Sequence, residues 1–315
     1  MMDCFVGIDT SNYTTSAAVC DAAGTVIANL KRPLPVRDGA CGLRQSDAVF
    51  AHVKNLPDLM RELGEVLAEH RVLAVGVSAR PRDAEGSYMP CFLAGVSAAH
   101  ALAAPSKLPV YELSHQNGHI MAAAYSSGRA DALLKGKFAA FHVSGGTTEV
   151  LAVTPSDLDF SIDMVGGTKD LNAGQAIDRV GVMMGLAFPC GRELERLAGE
   201  NTRPLPRPRV KVEDGFCNLS GLENIAKKLW EETGDRSFVS AYVLSFIGET
   251  LRLLTAQLDE QLGALPIVYA GGVMSNHYLQ TVLSVRPDTY FAEPQFSADN
   301  AAGIALLCRK RYLNL

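Results

Sequence analysis

Two stretches far apart in the chain, FVGIDTSNYTTSAAV at 5–19 and AFHVSGGTTEVLAV at 140–153, repeat one pattern. Each runs from an apolar strand through a turn of small polar residues and a Thr-Thr pair into a second apolar strand. A third strand-like piece follows each, TVIANL at 25–30 and DFSIDMV at 159–165. Small polar residues and glycines between two strands let backbone N–H groups point outward together, which suits a phosphate or another anion. One copy alone reads as a plain hairpin, but two copies, each opening a half of the chain, constrain the fold. After them, periodic apolar patterns predict helices at 46–69, 92–104, 170–184, 236–263, 275–283 and 298–311, and strands at 72–78, 109–113 and 266–270. Strands alternating with helices mean α/β layers.

A duplicated three-stranded hairpin unit followed by βα units resembles the actin-like ATPase (ASKHA) fold, with two lobes and a ligand cleft between them. The expected division is 1–113 with 290–315 for the first lobe and 114–289 for the second; 315 residues suffice for two cores. With 29 Lys+Arg against 34 Asp+Glu, the net charge is −5, so a nucleic-acid partner has to meet a local basic patch. The seven cysteines are scattered and never spaced Cys-x-x-Cys, which argues against a disulfide framework or a Cys-rich zinc site and fits a reducing compartment. No basic leader or long apolar segment opens the chain, so neither a signal peptide nor a transmembrane helix is expected, and the expected location is cytoplasmic.

Ile267–Ala270 is a short apolar strand that leads through Gly271 and Gly272 into a helical run starting near Asn276. Di-glycine at a strand-to-helix turn lets a ligand approach the backbone, and it also serves packing. No Gly-Lys-Ser/Thr is present there, so this is not a Walker A loop. The run SHQNGH at 114–119 places His115 and His119 four residues apart, on one face if helical. From spacing alone, packed or surface histidines are the better reading. A zinc peptidase of the His-Glu-x-x-His type needs glutamate where Gln116 stands, and an amide takes up no proton at neutral pH.

Seven stretches then carry a specific resemblance: GIDTS at 7–11, HQNGH at 115–119, VSGGTT at 143–148, GQAIDRVGVMMGLAFPCG at 174–191, NLSGLENIAKKL at 218–229, GGVMSN at 271–276 and ADNAAGIA at 298–305. In order and spacing they resemble the TsaD family, the transferase subunit that makes threonylcarbamoyladenosine in tRNA. The resemblance implies nucleotide binding at Ser144, Gly145 and Gly146, with His142 and Val143 leading in, and at Asp178, Gly191 and Asn276. It implies one divalent ion, iron or zinc, on His115, His119 and Asp299; spacing alone never identifies Asp299. Two imidazoles and a carboxylate leave open positions on such an ion, which can polarise a carbonyl. The implied reaction moves a threonylcarbamoyl group from threonylcarbamoyl-adenylate to N6 of the adenosine beside the anticodon. The implied partners are tRNA, an actin-like partner subunit and an ATPase subunit of the modifying complex; homo- or heterodimers and ATP binding stay open. No residue is identified as the proton acceptor.

Several positions depart from the family pattern. Asn117 stands where glutamate is usual inside the histidine motif, which removes charge and basicity. Ser78-Ala79-Arg80-Pro81-Arg82-Asp83 replaces a Thr-x-Gly-Pro-Gly-Leu loop, with arginines at two glycine positions. Thr147 stands where histidine is common, and Gly39 to Gln45 lack the acidic residue of a Tyr-Gly-Gly-Val-Val-Pro-Glu segment. These changes are expected around the cleft, which leaves a divergent, non-catalytic or differently specific paralogue as the alternative. Arg80 and Arg82 read as a solvated surface loop, with a grip on phosphate as the second reading. The basic, proline-stiffened run 202–211 reads equally as a connector or a tRNA contact, and Trp230 as a packed residue.

Overall fold

The computed structural model describes residues 1–11, 13–35, 43–157 and 159–315. The run 39–42, where the family's acidic segment was sought, lies outside the described residues. The chain begins with β1 (Met2–Thr10), β2 (Thr14–Asp21) and β3 (Val26–Pro33), followed by α1 (Gln45–Leu67), β4 (His70–Arg80), α2 (Phe92–Ala103), β5 (Val110–Ser114) and α3 (His115–Ser126). It continues through α4 (Ala130–Leu133), β6 (Phe138–Val143), β7 (Thr148–Pro155), β8 (Phe160–Thr168), α5 (Ala173–Met183), α6 (Gly191–Gly199), β9 (Val212–Glu213), β10 (Phe216–Cys217) and α7 (Ser220–Thr233). Last come α8 (Arg236–Leu262), β11 (Ile267–Ala270), α9 (His277–Leu283), β12 (Thr289–Phe291), α10 (Pro294–Ser297) and α11 (Ala302–Leu313). Two compact units result, one of Met1–Ala130, Pro155–Phe160 and Gln295–Leu315, the other of Asp131–Thr154 and Ser161–Pro294.

The duplication in the sequence is a duplication of topology. The first sheet runs β3-β2-β1-β4-β5, and the second contains β8-β7-β6-β11-β12 in the same relative order, extended by β10 and β9. In both, the first two strands pair antiparallel and the first strand pairs parallel with the strand that returns after a helix. This strand plan in two sheets is the actin-like α/β architecture expected from the repeat.

In the first unit α11 packs on β1, β2 and β4 and against α3. The approach is backbone to backbone: a Cβ on Gly303 would lie 1.8 Å from the Gly118 carbonyl oxygen, and one on Gly7 would lie 2.4 Å from the Ala305 nitrogen. A side chain at Gly303 would hold α11 off α3, and one at Gly7 would hold it off the sheet. α1 is fastened over the β1–β2 turn by His52, whose ring is buried and bonded to Thr15 Oγ1 (2.9 Å) and the Ser11 carbonyl (2.7 Å). Burial, the largest influence, keeps that imidazole's pKa below its usual value.

α8 is the core helix of the second unit. It is long and apolar enough to cross a membrane by length and composition, but 78% of its apolar window is buried, and Val239, Val243, Ile247, Leu251 and Leu254 join the strand residues of the core. Each such side chain contributes about 1.5–3 kcal/mol on burial. Trp230 on α7 packs against the same cluster, as expected.

Two helices start three or four residues later than their apolar periodicity predicts, each because a short polar side chain engages the backbone first. Asn172 and Gln175 close a reciprocal capping box, so α5 starts at Ala173. Asn300 donates to the carbonyls of Phe296 (3.0 Å) and Ala298 (2.7 Å) and accepts from Ala302 N (3.0 Å), so α11 starts at Ala302 and Asp299 sits in a bend.

Asp170, freed from α5, caps α7 from a distance. α7 has no side-chain cap of its own among the described residues, and Asp170 accepts from the N–H groups of Leu219 (2.8 Å) and Ser220 (3.2 Å) and from the Ser220 hydroxyl. Partial burial works against its charge, but these donors outweigh it and hold the pKa at about 2. A carboxyl depressed in the folded state stabilises above its unfolded value of 3.8 and loses that contribution as pH falls through about 2. Asp170→Ala is expected to cost about 1 kcal/mol at pH 7 after allowance for solvent screening, with wild type and variant converging toward pH 2 in urea titrations. Gly303→Ala is expected to cost about 3 kcal/mol in the same measurement.

Candidate metal centre

β5 runs straight into α3. Ser114 ends the strand and caps the helix, accepting from Asn117 N at 3.3 Å, so His115 is the first helical residue. Four residues on, His119 projects from the same face. The two rings meet edge to face with centroids 4.3 Å apart. Asp299 comes to them from the bend before α11: its Oδ1 lies 3.2 Å from His119 Nε2 and 3.7 Å from His115 Nε2. All three belong to the first unit.

The donor set fits a divalent ion. One ligand atom from each residue falls within 4.8 Å of the other two, and ligands about 2.1 Å from a tetrahedral ion are themselves about 3.4 Å apart. The three side chains are 17–22% exposed, enough for coordination positions to stay open to a substrate. Behind His115 stands Asp9, fully buried at the end of β1. Its Oδ2 takes the His115 Nδ1 proton at 2.7 Å and the Ser78 hydroxyl, and its Oδ1 accepts from Ser11 N at 2.9 Å. A carboxylate on Nδ1 selects the tautomer whose Nε2 lone pair faces outward and raises its basicity. Burial alone would lower the pKa of His115, but the charge and hydrogen bond of Asp9, with Asp299 beyond, carry it up to about 9. The opposing carboxylates thus attract positive charge, as a proton or as a metal ion.

A second group of expected residues lies in the other unit. Ser144, Gly145 and Gly146 form the β6–β7 turn, where Ser144 Oγ accepts from Gly146 N (3.2 Å) and Thr147 N (3.1 Å). His142 and Val143 end β6, and Val143 lies against Gly271, whose φ of +101° needs glycine. Gly174 N donates to the Ser144 carbonyl at 3.1 Å, which seats α5 on the turn. From α5, Asp178 Oδ1 accepts from Cys190 N at 2.8 Å, just before Gly191 opens α6. Asn276 caps α9, and Glu195 of α6 accepts from the adjacent His277 N at 2.7 Å. These links run through intervening residues: Gly174 and Gly271 at the turn, Cys190 before α6, and Glu195 with His277 between α6 and α9.

Four glycines here, Gly145, Gly146, Gly191 and Gly272, have open space where a Cβ would be. A glycine kept for packing, such as Gly174 or Gly271, has backbone against it instead. Glu195, Ala198, Gly199, Asn201, Leu244 and Tyr278 line a cavity of about 410 Å³, a size that takes a small organic molecule. The sequence points to none of these lining residues; the one available signal is that Glu195, Ala198 and Gly199 lie on the helix Gly191 begins and Tyr278 on the helix Asn276 caps.

Arg80 does not lie free: it pairs with Asp83 at 2.7 Å. In the proline-rich run, which is irregular, Arg203 stacks on Phe238 with its guanidinium 4.4 Å from the ring centroid and pairs with Asp235 at 3.3 Å.

The family model described as TsaD, tRNA N6-adenosine threonylcarbamoyltransferase, matches residues 43–306. A protein named tRNA N6-adenosine threonylcarbamoyltransferase from Streptococcus agalactiae serotype V is 34% identical over 261 residues, covering 79% of this chain and 73% of its own. Among solved structures, full-length HypF in its phosphate- and nucleotide-bound form is similar with a TM-score of 0.61 and 13% identity, over 97% of this chain. This chain covers 55% of the HypF chain. Component A of the Acidaminococcus fermentans (R)-2-hydroxyglutaryl-CoA dehydratase is similar with a TM-score of 0.52 and 14% identity, over 98% of this chain and 99% of its own. At these identities the structures speak for the fold alone.

His115→Ala and Asp299→Ala are each expected to abolish stoichiometric retention of a divalent metal by the purified protein, read by elemental analysis. Asp9→Asn is expected to lower metal affinity by about ten- to a hundredfold.

Proposed function

This chain belongs to the tRNA N6-adenosine threonylcarbamoyltransferase family, and from that premise we propose that it transfers a threonylcarbamoyl group to N6 of a tRNA adenosine with a divalent ion on His115, His119 and Asp299. The observation that carries this reading is the retained ligand set with Asp9 fixing the tautomer of His115. A scaffold without chemistry has no use for that set, so the paralogue alternative is not favoured.

The donor is threonylcarbamoyl-adenylate and the acceptor is the adenosine beside the anticodon. The N6 lone pair adds to the carbamoyl carbonyl carbon, the bond from that carbon to the phosphate oxygen breaks, AMP departs with the bonding pair, and N6 gives up a proton. When bound, iron or zinc supplies Lewis-acid chemistry toward a carbonyl oxygen. The protein's own residues bind and orient. Asp9 holds the Nδ1–H of His115, so that Nε2 is the nitrogen turned outward to take an ion in place of a proton, and Asp299 balances the charge of the centre. In the other unit, the Ser144–Gly146 turn, Asp178, Gly191 and Asn276 take the adenylate part, with backbone open to a phosphate where the glycines carry no side chain. The cavity beside Glu195 and Tyr278 receives the base. An actin-like partner subunit and an ATPase subunit complete the reaction in the cell.

With threonylcarbamoyl-adenylate, unmodified tRNA and those two subunits, the purified protein is expected to form threonylcarbamoyladenosine and to lose this activity in His119→Ala. No product, where a standard family member gives it, counts against the reading. Because Gly146 meets open space, Gly146→Ala is expected to leave unfolding free energy within about 0.5 kcal/mol of wild type while weakening adenylate binding at least tenfold by calorimetry. Unchanged binding would reduce that glycine to a turn residue.

A further inference from the structure

The loop that follows β4 is fastened to the helix that carries both histidines. Asp83 Oδ2 accepts from Ser114 Oγ at 2.7 Å and from Asn117 Nδ2 at 2.8 Å, while its Oδ1 takes Arg80 Nε at 2.7 Å. One residue pair further, the Pro81 carbonyl accepts from Gln116 N at 3.0 Å. Asp83 is about a third exposed and paired with Arg80, so its charge costs little desolvation. Asn117 is 1% exposed, and its Oδ1 has no hydrogen-bond partner among the described residues. The orientation of that buried amide therefore depends on Asp83.

Helical periodicity gives this contact its meaning. At about 100° per residue, Asn117 points roughly opposite to the face shared by His115 and His119. Asp299 meets the helix on the histidine face, and Asp83 grips it on the far side, so the two contacts together resist rotation of α3 about its axis. A roll of about 20° would move a ring nitrogen about 5 Å from that axis by nearly 2 Å. Metal–ligand distances tolerate only about 0.2 Å. We propose that Asp83 is a positioning residue for the metal centre: through Asn117 and Ser114 it sets the roll of α3 at which both imidazoles address one ion. This inference rests on the metal-binding reading above.

Zn2+ alone is the probe, with affinity measured by chelator competition and the thermal midpoint of the metal-free protein measured beside it. Asp83→Ala is expected to lower Zn2+ affinity at least tenfold, and by a clearly smaller factor in an Asn117→Ala background, because one of the two bonds it acts through is then gone. Ser114→Ala provides a second background should Asn117→Ala fail to fold. A merely structural loop contact would move the thermal midpoint and leave Zn2+ affinity within twofold, which overturns the proposal; so does an equal loss in both backgrounds. Wild-type protein that binds no Zn2+ would overturn the metal reading itself, whereas wild-type binding with an unaffected Asp83→Ala variant removes only the role of Asp83.

Discussion

The close crossing of α3 and α11 is the constraint on which the rest of the first unit depends. Gly118 and Gly303 let the two helices touch backbone to backbone, and Gly7 lets α11 settle onto the sheet. A helix seated that deeply delivers the bend before it to a fixed place, and Asp299 is in that bend. The ligand near the end of the sequence thus reaches histidines 180 and 184 residues earlier through packing. Close packing transmits small changes in volume over such distances, so the geometry of the centre is coupled to the helix contact.

Three carboxylates share the work around α3, and their surroundings separate their roles. Asp299, partly open to solvent, presents an oxygen to both imidazoles. Asp9, sealed from solvent, is fully engaged by the Ser11 amide, the Ser78 hydroxyl and His115, so it sets protonation and cannot itself become a ligand without breaking those bonds. Asp83 touches neither histidine and is neutralised by Arg80. Negative charge so concentrated would be costly in a protein interior unless each anion were bonded or faced a cation. The departures at Arg80 and Asn117 are therefore not scattered losses; in the folded chain they belong to one connected set of bonds.

How much of this was legible in the sequence depended on whether the signal was local. The repeated hairpin pattern announced two sheets of one plan, because strand, small-residue turn and strand are written contiguously. Long apolar helices such as α8 were visible for the same reason. Helix starts were misjudged at 170 and 298, where Asn172 and Asn300 bond to the backbone against the apolar periodicity. The His115–His119 spacing was visible but ambiguous, and Asp299 was supplied by family resemblance only, since nothing in spacing links it to residue 115. In the sequence Asp9 sits inside an apolar strand motif, where an aspartate near the strand end signals a buried anion in need of partners. Asp83 stands in the sequence only as the end of a loop that lacks the family's glycines; its bond to Asn117 bridges 34 positions and leaves no periodic trace. The cavity beside Glu195 arises from three helices meeting and has no linear signature.

The absence of any spacer between β5 and α3 has a consequence for how this chain can vary. Ser114 closes a ladder with β4 and caps the helix in the same residue, so strand register and the azimuth of the imidazoles are geared together. One extra residue at that junction would turn the whole helix by about 100° and carry both rings out of line with their carboxylate. Insertions are ordinarily absorbed at the ends of secondary structure; here that end has no slack, because the same residue closes the strand and opens the helix.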